Sequence, residues 1–165
     1  MSRRIGAGAL VVAGLLLSSC TSGSEAPPVS PSFLPSATRA EPGPVRHDAE
    51  PLTKRFATLG EPVAVTWQSG TTGDNSVPGP STYSIDAAVR LAPAAAAELG
   101  GTPGLTPATL PSDLPPDVLA ATGTGPWRTG DALNAAFGTA GFGVRAYLGA
   151  GDVVLLRAVG SGDAG

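Results

Sequence analysis

The chain is short of nearly every residue type that does chemistry. Its 165 residues include one cysteine, Cys20, one histidine, His47, and one lysine, Lys54. A single cysteine excludes an intramolecular disulfide and a cysteine-based metal cluster. The histidine falls in a proline-rich segment, which leaves the rest of the chain without the base of a Ser-His-Asp or Cys-His arrangement and without a His/Cys zinc site. Aromatics are scarce, with two Trp, two Tyr and four Phe, and much of the 42% hydrophobic content is alanine, so a core should be modest. Basic residues form no cluster and the net charge is −3, a poor match for nucleic acid, whose affinity comes mainly from neutralised phosphates. A GxxxxGK[ST] pattern is missing, and Gly141-Phe142-Gly143 opens a strand and not a helix, so no nucleotide cradle and no cofactor are expected.

What is present begins at the N-terminus. Arg3 and Arg4 precede an apolar run from Ile5 to Leu17, shorter than the roughly 20 residues that a membrane-spanning helix needs. The run ends in Leu17-Ser18-Ser19-Cys20, which resembles the lipobox of bacterial lipoprotein precursors: an aliphatic residue, two small residues and a cysteine. The resemblance is confined to residues 1–20. It implies cleavage between Ser19 and Cys20 and attachment of diacylglycerol to the Cys20 thiol, with the mature chain held at the extracytoplasmic face of a cell membrane. Two acyl chains, at about 0.8 kcal/mol per buried CH₂, anchor far more firmly than one. Loss of Arg3 and Arg4 with the leader takes the formal charge from −3 to −5.

Residues 20–53 read as a disordered tether. Seven prolines lie in residues 21–53, between Ser, Thr, Ala and Glu, with neither a helical nor a strand periodicity. Such a segment buries too little apolar surface to offset its ordering entropy. His47 then reads as a solvated linker residue and not as a ligand or general base.

The folded domain is expected over residues 54–160, with 161–165 a flexible tail. Its class is α+β: a small antiparallel sheet of about four strands packed by two or three short helices. The run PVAVTWQ (62–68) suggests a strand, followed by a loop dense in turn formers through residue 80. Residues 81–91 alternate clearly, placing Tyr83, Ile85, Ala87, Val89 and Leu91 on a buried face and Ser84, Asp86, Ala88 and Arg90 on a wet one. Helices are expected at 93–99, at 116–121 and from Thr129, which is placed to cap, through Leu133 and Phe137. Residues 142–148 and 152–159 read as a hairpin about Gly149-Ala150-Gly151. The second of these strands is nearly all apolar and should be central.

Candidate functional residues are few. Trp67, beside the long loop, is placed to line a groove, although core packing also explains it. Trp127 and Arg128 precede an expected helix start and suggest an aromatic and cationic site for an anionic or sugar group; the competing account packs Trp127 under the helix and leaves Arg128 in solvent. Glu61, Asp74, Asp86, Asp131 and Asp152 are the carboxylates from which a hydrolytic pair could be drawn. Each also has a plainer role in a turn, a cap or the wet strand face. The leading expectation is therefore a lipid-anchored binding or assembly domain whose partners are membrane lipid through Cys20 and an envelope protein or glycan. The alternatives are an envelope hydrolase or accessory enzyme using Asp without His, and a structural spacer without a ligand.

Overall fold

The computed structural model describes residues 39–72 and 82–161. Ser19, Cys20, the leader, the first part of the tether, Asp74 and residues 162–165 lie outside the described residues. The described chain is an α+β fold built on one antiparallel sheet. Its strands are β1 (Arg39–Pro42), β2 (Ala64–Thr72), β3 (Thr82–Arg90), β4 (Thr106–Ala108), β5 (Trp127–Thr129), β6 (Phe142–Leu148) and β7 (Val153–Ser161). Four helices accompany them: α1 (Glu50–Arg55), α2 (Pro93–Gly100), α3 (Pro116–Thr122) and α4 (Asp131–Ala136). The strand order is β1-β2-β3-β7-β6-β5-β4, and every pairing is antiparallel.

The four strands legible in the sequence are β2, β3, β6 and β7, and they lie side by side at the centre. β7 holds the middle position, as its apolar run suggests: Val154, Leu155, Leu156 and Ala158 are fully buried. Three strands of four, three and three residues widen the edges from four strands to seven. Runs as short as RAEP, TPA and WRT carry no readable alternation. The β6–β7 hairpin closes through Gly149 N–H to Val153 O at 2.8 Å, with positive φ at Gly151 and Asp152.

Both faces of the sheet are covered. On one face α1, α2 and α4 contribute Leu52, Ala96, Leu99, Leu133 and Phe137 to a core that includes Val65, Trp67, Ile85, Val89 and Leu156. Each large side chain buried there contributes about 1.5–3 kcal/mol. Asn134 of α4 accepts a hydrogen bond from Ala146 N–H at 2.8 Å, fixing that helix on β6. The other face is the one expected to be wet, and along β3 it is not: Ser84, Asp86 and Ala88 are 4, 0 and 4% exposed. α3 and the segment before it lie across β2, β3 and β7, and Leu114 and Val118 pack on Ala88 and Leu155. Asp86 consequently sits in the interior opposite Arg157 of β7. The Arg157 Nε is 3.5 Å from its Oδ1, and the same guanidinium donates to Asp113 at 2.7 Å. The Asp113 hydrogen bonds, together with the Asp86 charge, raise the Arg157 pKa. One arginine thus ties the connection before α3 to the sheet.

The domain starts earlier than residue 54. Residues 39–53, expected in the tether, are folded. β1 pairs with β2, Arg46 and Trp67 exchange backbone hydrogen bonds at 2.8 and 2.9 Å, and Leu52 is 1% exposed in the core. The helix signals in EPLTKR were there to be read: an acidic first residue, proline at the start and two basic residues at the end. A second correction concerns Thr129. It belongs to β5, donates its hydroxyl to Ala146 O at 2.7 Å and caps nothing; Gly130 occupies the N-cap of α4 without a side-chain bond.

Candidate functional site

A recess lies on the first face, between α1 and the end of the sheet where β2 finishes and β3 begins. Strand register builds its floor. Trp67 and Ser69 of β2, Tyr83 and Ile85 of β3 and Phe142 of β6 all point to this side. Tyr83 and Phe142 both pair with Gly160 of β7, so that row carries no side chain at its centre. Glycine is required there, because a Cβ on Gly160 would strike the carbonyl of Gly141. Pro51 and Leu52 form the wall, and Arg46, Lys54 and Arg55 stand at the rim around a volume of about 470 Å³.

The rim is cationic, and its charges are unequally matched. Arg46 donates to Asp48 through Nε at 3.0 Å and Nη2 at 2.6 Å, and its guanidinium lies 4.4 Å from the centre of the Trp67 ring. These hydrogen bonds hold the Asp48 carboxyl below its ordinary value and raise the Arg46 pKa. Lys54 pairs with Glu50 one turn away at 2.7 Å, and that hydrogen bond lowers the Glu50 pKa. Arg55 lies 4.8 Å over the Phe142 ring and has no carboxylate partner among the described residues. No carboxylate lines the recess among the described residues.

Trp67 is at this site, yet only 4% exposed; its Nε1 donates to Asp48 O at 3.0 Å. Trp127 and Arg128 lie elsewhere. As neighbours on β5 they point to opposite faces, so they do not form the joint aromatic and cationic site that their adjacency suggests. Trp127 is 8% exposed and covers Gly149, whose added Cβ would come within 2.6 Å of the ring. Arg128 is exposed and borders a smaller recess of about 200 Å³ with α2 and Asp152.

The carboxylates do not converge either. Glu61 is exposed, Asp86 is held by Arg157, Asp131 starts α4 and Asp152 occupies the hairpin turn. His47 belongs to the folded domain and not to a stalk, so its location no longer excludes histidine chemistry. Its Nδ1 is 3.0 Å from Val65 O and 3.3 Å from Thr66 Oγ1 at the sheet edge. Among the described residues no group of three or more His, Cys, Asp or Glu side chains is placed to hold a metal ion.

Arg46, Lys54, Arg55 and Phe142 were missed as site residues in the sequence, the first three because they fell in or beside the expected tether. The signal for Lys54 and Arg55 is the charge order of α1, with Glu50 and Lys54 at the i,i+4 spacing of an exposed helical pair. Comparison of the chain with protein-family models, with curated proteins and with solved structures gives no match.

Proposed function

We propose that this chain is a membrane-anchored extracytoplasmic lipoprotein whose folded domain is a binding module, with the Trp67 recess as its binding site. The observation that carries the binding half is the recess itself: an apolar and aromatic floor, a cationic rim and a volume within the roughly 300–1,000 Å³ of small-molecule sites. The anchoring half rests on the lipobox resemblance at Leu17-Ser18-Ser19-Cys20. No helix among the described residues is long and apolar enough to cross a membrane, so a lipid on Cys20 would supply the attachment. A carboxylate-based hydrolase would require two facing acids, and none line the recess among the described residues. The spacer reading draws support from the burial of both tryptophans, at 4 and 8% exposure.

Two measurements test the proposal. Cys20→Ala should move the protein from the membrane fraction to the soluble or precursor fraction; unchanged membrane partitioning overturns the anchor. A photo-crosslinking residue at Ser69, on the recess, should capture a specific adduct in intact cells that the same probe at Arg128 does not. Equal background at both positions favours the spacer.

A further inference from the structure

We infer that the Trp67 recess takes an anionic amphiphile: a phosphate or carboxylate head on an apolar body, with the head on Arg55. This deepens the binding reading above and rests on it. Three cations and no described carboxylate line the recess, so it attracts anions and repels cations. Within that set Arg46 and Lys54 are matched by Asp48 and Glu50, whereas Arg55 is held only over the face of Phe142. A guanidinium stacked on a ring keeps its edge donors free, in the planar fork that fits a carboxylate or phosphate by two parallel hydrogen bonds.

The floor beneath is what separates an amphiphile from a bare anion. Pro51, Tyr83 and Phe142, each half-buried, offer carbon surface above the buried Leu52, Trp67 and Ile85. A neutral sugar fits less well. Recognition of several hydroxyls calls for carboxylate or amide acceptors, and apart from backbone groups the described lining offers only the hydroxyls of Ser69 and Tyr83. The apolar body therefore lies against Pro51 and Tyr83 and the charge faces the rim. The shared chemistry has two sources, a soluble amphiphile or the headgroup of an anionic membrane lipid.

Calorimetric titration of the full chain carrying Cys20→Ser tests this with octyl phosphate, octyl glucoside, octyltrimethylammonium and inorganic phosphate below micellar concentrations. Octyl phosphate should bind at least tenfold more tightly than the other three. Arg55→Gln should lose tenfold or more of that affinity, Arg55→Lys should lose less, and Arg128→Gln should leave it unchanged, with thermal midpoints confirming that each variant is folded. Vesicles of phosphatidylglycerol that bind where phosphatidylcholine vesicles do not identify the lipid headgroup as the source. Binding of octyl phosphate without vesicle binding identifies a soluble one. Equal binding of octyl glucoside, equal binding of inorganic phosphate, or insensitivity to Arg55→Gln overturns the inference. If the Ser69 crosslink persists while octyl phosphate fails to bind, the ligand class is wrong and the binding module stands; if both fail, the module falls too.

Discussion

Leu52→Ala should destabilise the domain by about 3 kcal/mol, a large effect for a residue that sequence reasoning assigns to a disordered tether. The side chain is 1% exposed and packed in the core of the first sheet face. Three carbons are removed, worth about 2.4 kcal/mol at about 0.8 per buried methylene, and the cavity left behind adds to that. The open recess beside α1 lets the wall relax inward, which places the total in the lower half of the roughly 2–5 kcal/mol seen for such truncations. For a domain of about 120 residues, at about 2.1 cal/mol/K per residue, 3 kcal/mol corresponds to a fall of about 12 °C in Tm. Thermal unfolding followed by circular dichroism measures this directly, with Val63→Ala, at a position 64% exposed, as a control expected to stay within about 0.5 kcal/mol. Limited proteolysis of the full chain should leave a resistant fragment beginning near residue 39 and not near 54. A Tm shift below about 2 °C for Leu52→Ala would refute the placement of α1 in the core.

Two further outcomes follow from close packing and from the buried charge. Gly149→Ala should cost about 1–3 kcal/mol in urea unfolding, because its Cβ would sit 2.6 Å from the Trp127 ring; Trp127→Leu in the same chain should recover part of the loss, and strict additivity would show that the two do not touch. Arg157→Met should cost about 3–5 kcal/mol, since it strips Asp86 of a cation in the interior, and Arg157→Met with Asp86→Leu should be much less damaging than the single change. Equal losses in the single and double variants would sink that coupling.

The parts of the fold that were legible are those where a period repeats often enough to be seen. β2, β3, β6 and β7 have seven to nine residues each, and the helices at 93–100 and 116–122 carry starting prolines and stopping glycines. β1, β4 and β5 depend on hydrogen bonds to a neighbour and leave no pattern of their own. The face of β3 that carries Ser84, Asp86 and Ala88 reads as wet because those residues are small or polar, but a distant arginine and α3 cover them. The site was half legible. Trp67 stands out by its rarity, but of its three cations Arg46 lies in a stretch whose prolines suggest a stalk, and Lys54 and Arg55 lie just beyond its end. Two of those prolines serve as helix and edge residues, Pro51 in the first turn of α1 and Pro42 at the end of an edge strand, where no ladder hydrogen bond is lost.

The central place of β7 has a consequence for how the chain is made. It is the last strand in sequence, yet it joins β3 to β6. Until it is in place, β1-β2-β3 and β6-β5-β4 are two separate ribbons, each with an unpaired inner edge, and the core that spans them cannot close. Residues 82–90 gain their second neighbour only with residues 153–161, and a pairing so distant in sequence favours slow closure. Until then two sticky edges are open to other chains, and loss of the nine residues of β7 would make that state permanent.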